Sequence, residues 1–288
     1  MHSVHELKLM ANTIRQDCIR MLLPAKSGHT AGPLGMADIF TALYFSKLTH
    51  DPTNPGWDGR DRVILSNAHI CPVLYSALGE SGYFDKALLG TFRKLGSPLQ
   101  GHPHRGSLPG IETSGGPLGQ GLSQACGMAL AARMDGKKHL IYCLTSDGEH
   151  EEGQTWEAVM LAAKYKLGNI IAIMDRNFIQ IDGRTETIMP LDPVAEKYRA
   201  FNWNVIEIDG NDMEQVLRAL DEAKAHSARP GAAPTMIVAI TVPGKGVSFI
   251  ENKFEWHGKP PNVEEAGKAL AELEADRAKL MAHKKESG

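Results

Sequence analysis

Residues 140–183, LIYCLTSDGEHEEGQTWEAVMLAAKYKLGNIIAIMDRNFIQIDG, constrain the fold more than any other stretch of the chain. An apolar run at 140–144 suits a buried parallel strand. It breaks at Thr145-Ser146-Asp147-Gly148. A helical pattern is predicted from about 153 to 166, with Trp156, Val159, Met160 and Ala163 on one face. A second apolar run at 170–174 reads as another strand, ending at Asp175-Arg176-Asn177. This is a βαβ unit with polar residues at the carboxyl ends of both strands, where open parallel sheets bind their ligands.

Asp147 and Asn177 lie 30 positions apart. A right-handed crossover brings the two strand ends together. A carboxylate and an amide carbonyl then face one small volume, and both are hard oxygen ligands suited to Mg²⁺ or Ca²⁺. Mg²⁺ takes few ligands from protein and completes its shell with phosphate and water. Gly148 lets backbone approach a phosphate closely. The helix start behind it offers free N–H groups and a positive dipole end. A metal-bridged diphosphate at a strand-to-helix turn follows. Asp147 as a plain helix cap is the alternative for that residue alone. The Asn, the Gly and the spacing together favour the metal.

The rest of the chain extends this α/β pattern. The chain has 288 residues, of which 42% are hydrophobic and 23% charged, an ordinary globular composition with room for one large or two small domains. A net charge of −3 gives no basic footprint for nucleic acid, and no run of eighteen apolar residues predicts a membrane span. No signal peptide is expected from the first twenty residues. Cys18, Cys71, Cys126 and Cys143 form no CxxC pair and read as buried thiols of a reducing, cytoplasmic setting.

Helical periodicity predicts a helix over 5–22 stopped by Pro24, a Gly/Pro loop at 27–35, and helices at 36–48, 71–79 and 85–95. Strands are expected at 63–65, 205–208 and 235–241, with helices at 192–201 and 213–225. A charged helix over 262–284 closes the chain, its charges read as solvated. His29 sits in a glycine-rich loop with no apolar face to pack on, so it is either exposed and inert or functional. His69 follows a short strand and precedes a helix. From Gly96 to Gly121 the chain is dense in Gly and Pro, and a loop of that length is usually functional. His104 and Arg105 within it read as surface residues.

These residues carry a family resemblance. Ser146-Asp147-Gly148, the intervening helix and strand, and Asn177 resemble the thiamine diphosphate motif, with Ser146 where the family has its first Gly. The strings GQTWEA, AAKYKLGN and QIDG are similar to transketolase, in the form divided between two chains. SGH…GPLGMA around His29, SNAH at 66–69 with Ala68 for the usual Gly, GHP at 101–103, GGPLGQG and TVPGKG…WHG extend the likeness over about residues 5–262. The resemblance implies thiamine diphosphate with Mg²⁺ (Ca²⁺ as the alternative), and a metal set of Asp147, Asn177 and Ile179. It makes His69, Gly116, Leu118, Gly148, Asn177 and His257 cofactor contacts. His29, His69, His102 and His257 become the catalytic histidines. Glu152 becomes the Glu that reaches across the contact between chains, the alternative being a first-turn Glu favoured by the helix dipole.

The fold implied is α/β, an open, mostly parallel β-sheet with helices on both faces, the diphosphate-binding (PP-type) domain. Residues 1–262 are expected to form that domain and 263–288 a C-terminal charged helix. No second α/β unit follows residue 245, so the pyrimidine-binding and C-terminal domains are expected on a partner subunit, in an α2β2 assembly. The implied reaction is reversible transfer of a two-carbon ketol unit from a ketose phosphate to an aldose phosphate. Three other readings stay open: the alpha subunit of a 2-oxo acid dehydrogenase, a deoxyxylulose-phosphate synthase relative, and a cofactor-binding module with no activity of its own.

Overall fold

The computed structural model describes residues 2–286; residues 1, 287 and 288, at the outer ends of the two expected segments, lie outside it. The chain runs α1 (Val4–Ala25), α2 (Ala31–Gly35), α3 (Ala37–Ala42), β1 (Arg62–Leu65), α4 (Cys71–Glu80), α5 (Gly121–Met134), β2 (Ile141–Ser146), α6 (Gly153–Lys164) and β3 (Ile170–Arg176). It continues with β4 (Ile179–Gln180), β5 (Gly183–Arg184), α7 (Thr185–Ile188), α8 (Val194–Ala200), β6 (Asn204–Asp209), α9 (Met213–Ser227), β7 (Thr235–Ile240) and α10 (Val263–Glu286).

Five strands form one sheet in the order β1-β2-β3-β7-β6, every neighbouring pair parallel. Strand side chains alternate between the two faces. Tyr142, Leu144, Ile171, Ile173, Ile237 and Ala239 therefore join the core under α1, α3, α4 and α9. Ile141, Cys143, Ile170, Ala172, Met174, Met236 and Val238 join the core under α5, α6 and α8. The split follows from the order of the strands. From β1 through β2 and β3 to β6 the chain steps one way across the sheet, and right-handed crossovers keep α5, α6 and α8 on one face. From β6 to β7 it steps back, and α9 lies on the other face. Helix α10 packs on α1, where Asn12 Nδ2 donates to Leu273 O at 2.9 Å.

Several local expectations are corrected. Helix α1 runs through Pro24 and ends at Lys26, a left-handed cap whose N–H reaches Leu22 O at 3.0 Å. Met21 and Leu22 are buried, and their packing carries the helix to its last turn. The 27–35 loop contains α2, with Pro33 in its first turn, where no N–H is required. A Cβ on Gly32 would meet Ile70 Cγ2 at 2.7 Å, so glycine there serves close packing. The expected helix over 36–48 divides into α3 and a π-turn, Leu43–Lys47. The helix over 85–95 shrinks to a 3₁₀ stretch, Lys86–Thr91, because buried Phe92 is extended and Arg93 is left-handed at φ 58°. The buried face of α6 is Thr155, Ala158, Val159 and Ala162, one residue away from the stripe expected, and Met160 is 51% exposed. Finally, β2 and β3 extend through Ser146 and Arg176, which pair with Asp175 and Ile240.

Candidate active site

Polar residues gather at the carboxyl edge of the sheet because four parallel strands end there together. Asp147 N donates to Asp175 O at 3.2 Å and Thr241 N to Arg176 O at 3.2 Å, so the ends of β2, β3 and β7 are tied side by side. Asn67, just past β1, donates through Nδ2 to Thr145 O at 3.2 Å.

Asp147 is fully buried and caps the 3₁₀ turn Gly148–Glu151, Gly148 N donating to Oδ1 at 2.7 Å. Its Oδ2 accepts from Phe178 N at 2.8 Å, Arg176 Nη1 at 3.1 Å and Thr185 Oγ1 at 3.2 Å. Oδ2 is saturated, whereas Oδ1 keeps capacity for one more partner. Burial raises the Asp147 carboxyl to about 6, against the pull of Arg176 and the two backbone N–H groups. Asn177 Nδ2 donates to Asp175 Oδ2 at 2.8 Å, which aims the carbonyl oxygen away from Asp175. That oxygen accepts from Ile179 N at 3.0 Å and retains a second lone pair. Ile179 opens β4, and Phe178 before it is left-handed at φ 61°, stacked under Arg176 at 4.1 Å. Arg176 also pairs with Glu186 and Asp192, so one guanidinium lies among three carboxylates. The surplus negative charge and the hard-oxygen set of Asp147, Asn177 and Ile179 fit a divalent cation shared with phosphate. Among the described residues no group of three or more His, Cys, Asp or Glu side chains is placed to hold a metal ion, so a cation at Asp147 would draw on amide and backbone oxygen as well.

The histidines come from four separate loops. His29 lies between α1 and α2, His69 in the turn Ala68–Ile70, and His257 behind the turn Phe254–Trp256. Their rings form a triangle with centroids 4.9 Å (His29–His69), 5.2 Å (His69–His257) and 5.4 Å (His29–His257) apart. His102 is exposed and outside the triangle, its Cγ 3.9 Å from where a Cβ of Gly116 would sit. Burial lowers His29 to about 3, helped by His257, Arg93 and His102, and lowers His257 to about 4. His69 is held well below its ordinary value by burial, then by His257 and His29. All three rings are neutral near pH 7, each with one donor and one acceptor nitrogen. His29 Nδ1 and Asn67 Oδ1 are buried with no partner in the protein, unmet polar atoms suited to a polar ligand. His150, by contrast, spends both ring nitrogens on Ser146 O (2.7 Å) and Tyr198 Oη (2.6 Å), a structural tie.

The depressed histidines have a consequence for stability. Below pH 6.5 the unfolded chain takes up protons that the native triangle refuses until about pH 4, so these groups withdraw stability as pH falls through that window. His257→Gln removes one of them and should flatten the acid-side slope of urea-unfolding stability between those values. An unchanged slope would mean that His257 titrates normally.

Gly116 (φ 141°) presents bare backbone, and a Cβ on Gly148 would meet nothing closer than Gln180 at 3.8 Å. Leu118 is half-buried, its carbonyl held by Gln154 Nε2 at 2.9 Å. Glu152 stands at the N-terminus of α6, exposed, without a hydrogen bond or ion pair for its carboxylate among the described residues.

One residue escaped the sequence reading. Glu149 is buried beneath three loops and accepts from Ser66 Oγ, Gly119 N (2.7 Å) and Ser146 N (3.2 Å), while Gly121 N donates to Ser66 Oγ at 3.0 Å. It clamps the SNAH, GGPLGQG and SDG segments together. Burial pushes its carboxyl up to about 7 against those hydrogen bonds. Its signal in the sequence is weak, since an acid at the first turn of a helix reads as dipole complement. Glu149→Ala orphans three donors and should lower stability by about 2 kcal/mol or more, since each unmet buried group costs about 1–3 kcal/mol. Chemical unfolding checks this, and a loss below about 0.5 kcal/mol, typical of surface changes, would show the clamp to be idle.

Comparison with known proteins bears on this geometry. Residues 6–283 match the family described as the thiamine diphosphate binding domain of transketolase. A 6-deoxy-6-sulfo-D-fructose transketolase subunit from Clostridium sp. (strain MSTE9) is 42% identical, over 95% of this chain and 98% of its own length. One of the subunits of an apulose-4-phosphate transketolase from Actinobacillus succinogenes is 41% identical, over 94% and 97%. Among solved structures, a Pichia stipitis transketolase in complex with sedoheptulose 7-phosphate superposes with a TM-score of 0.86 at 32% identity, over 99% of this chain and 45% of its own. The transketolase of Campylobacter jejuni gives 0.84 at 34%, over 98% and 48%. The chain spans less than half of these solved transketolases and nearly all of the two curated relatives.

Proposed function

The chain belongs to the transketolase family as its thiamine diphosphate-binding part, and on that premise we propose the working of the site. It is one half of a divided transketolase, moving a two-carbon ketol unit from a ketose phosphate to an aldose phosphate together with a partner chain. The observations that carry the reading are the histidine triangle, to which the turn after β1 contributes His69, and the placement of Asp147 and Asn177 just past the carboxyl ends of β2 and β3 in the same sheet.

Bound thiamine diphosphate supplies the carbon nucleophile and the electron sink for cleaving a bond beside a ketone. Asp147, Asn177 and Ile179 would hold Mg²⁺, or Ca²⁺, against its diphosphate, with Gly148 giving room for phosphate. Gly116 and Leu118 would lie against its rings. His69 and His257 are placed to contact cofactor and substrate, and His29 and His102 to hold substrate hydroxyls. Neutral imidazoles can take or return a proton at a sugar hydroxyl without first losing one. Glu152, exposed and unpaired, is available to a carboxylate of the partner that addresses the pyrimidine. Apolar side chains exposed around the elements carrying Asp147 and Asn177, Met160, Ile181 and Met189 among them, favour a covering partner.

The partner is proposed to carry the pyrimidine-binding and C-terminal domains, in an α2β2 assembly. We infer a cofactor-binding unit over 1–262, followed by a C-terminal segment over 263–288 whose described part, to Glu286, is helical. Four buried free thiols favour a cytoplasmic setting, and no described helix is long and apolar enough to cross a membrane. The sugars in the names of the two relatives, 6-deoxy-6-sulfo-D-fructose and apulose 4-phosphate, are the donors to test beside xylulose 5-phosphate.

The test is ketol transfer to ribose 5-phosphate, with thiamine diphosphate and Mg²⁺. The chain is assayed alone and mixed with the product of the adjacent reading frame. Activity only in the mixture is expected. Activity of the chain alone would overturn the division between chains, and silence of an assembled pair with all three donors would overturn the reaction.

A further inference from the structure

Glu149 joins the three segments that carry the proposed cofactor contacts. Its Oε1 accepts from Ser66 Oγ and from Gly119 N at 2.7 Å, and its Oε2 from Ser146 N at 3.2 Å. Ser66 precedes His69 in the turn after β1, Gly119 follows Leu118 directly, and Ser146 directly precedes Asp147. The side chain is 1% exposed, and its three donors are all uncharged. Burying a carboxylate on neutral donors alone is costly, and an apolar residue of similar size would serve plain packing at less cost. The acid is therefore best explained by what it joins.

The junction is tight. Gly121 N donates to Ser66 Oγ at 3.0 Å, so Ser66 relays the contact to the start of α5. A Cβ on Gly121 would collide with Ser66 Cβ, and one on Gly119 would meet Glu152 Cβ and Gln154 Nε2 at 2.9 Å. Gln154 Nε2 donates to Leu118 O at 2.9 Å, and Thr155 Oγ1 donates to Glu149 O at 3.0 Å, which seats the turn Gly148–Glu151 on α6. The loop ending at Gly121 thus lies between the turn after β1 and the start of α6, where it cannot shift alone. A carboxylate offers two acceptor oxygens to these donors, whereas an amide offers one and turns an NH₂ toward a backbone N–H.

We propose that Glu149 is a positioning residue for the cofactor: it makes the turn with His69, the loop with Gly116 and Leu118, and the strand end with Asp147 act as one unit, so that thiamine diphosphate and its cation meet a preformed site. The proposal rests on the transketolase reading. Glu149 acts only through the segments it joins. Fixing three segments in advance removes their ordering cost from binding.

Two variants test this. Glu149→Gln leaves one acceptor oxygen, so either Gly119 N–H or Ser146 N–H loses its partner. Ser66→Ala keeps the carboxylate and cuts only the link to the turn after β1. In calorimetric titration of the assembled pair with thiamine diphosphate and Mg²⁺, each should bind the cofactor about 10- to 100-fold more weakly, the usual effect of removing a partner behind a metal ligand. The cofactor KM should rise by more than kcat falls. Combining the two should cost little beyond the worse single change, because both act on one clamp. Hydrogen exchange of the cofactor-free full chain supplies a readout without turnover. In Glu149→Gln the segments 66–70, 115–121 and 146–150 should lose protection together while β7 keeps its own. Unaltered cofactor affinity in both variants, exchange raised evenly along the chain, or exchange raised in one segment alone would overturn the proposal and leave Glu149 a packing residue. If the pair binds thiamine diphosphate through this clamp but transfers no ketol unit, the reaction reading fails and the clamp stands. If the unaltered pair binds no thiamine diphosphate, the clamp has no such ligand and the proposal falls with the cofactor reading.

Discussion

Asp147→Ala is expected to abolish Mg²⁺-dependent binding of thiamine diphosphate and, with it, ketol transfer by the assembled enzyme. Removing a residue one step behind a metal typically costs 10- to 100-fold in metal affinity, so loss of a direct oxygen ligand should cost at least about 100-fold. The variant also removes the acceptor of Phe178 N–H and Thr185 Oγ1, and one of three carboxylates around Arg176. Stability should fall as well, although Glu186 and Asp192 keep the guanidinium from being left alone. Asp147→Asn keeps shape and two acceptor roles while losing the charge, and it should lose cofactor affinity with a smaller change in unfolding. Calorimetric titration with the cofactor in Mg²⁺ decides, and wild-type affinity in both variants would remove Asp147 from the metal site.

The same carboxyl sets a pH dependence. Without a cation its value is raised from 3.8 to about 6. Between those values the native group holds a proton that the unfolded chain releases, so its contribution to stability declines as pH rises through the window. A metal needs the ionised form, so cofactor affinity should weaken as pH falls below about 6.

His29→Ala is expected to slow turnover about 10²- to 10⁴-fold, the usual weight of a positioned acid–base group, while cofactor affinity stays near normal. The ring is held by contacts with His69 and His257, and its Nδ1 has no protein partner. A nitrogen buried without a partner is costly unless a ligand meets it. None of the oxygens in the proposed metal set bonds to His29, which is why binding and turnover should separate. Steady-state kinetics with several donors, beside a cofactor titration, checks this. Normal turnover with every donor would take His29 out of the mechanism, and loss of cofactor affinity instead would make it part of the cofactor site.

The frame of the molecule was legible because it is written in local chemistry. Apolar runs at 140–144 and 170–174, the break at Asp147 and the 30-residue interval to Asn177 specify a βαβ unit and put two hard oxygens at one sheet edge. Histidines in Gly-rich or strand-end segments stood out because such positions offer no core to pack against, and three of them do meet. What stayed hidden depends on contacts distant in sequence. Periodicity fixes that α6 has an apolar stripe but not its phase, and packing chose Thr155, Ala158, Val159 and Ala162 over a face holding Met160. Pro24 and Gly32-Pro33 read as breakers, yet buried neighbours and first-turn placement admit both to helices. Glu149 looked like a first-turn acid until the fold laid Ser66, Gly119 and Ser146 around it. His104 and Arg105, read as surface residues, are exposed. Local sequence thus determined the strands, the turns and the kinds of ligand atom at the strand ends, because those follow from side-chain period and backbone freedom. Tertiary structure alone decided which helix face is buried, which acid clamps the loops and which charges go unpaired, because each depends on neighbours that the chain acquires only on folding.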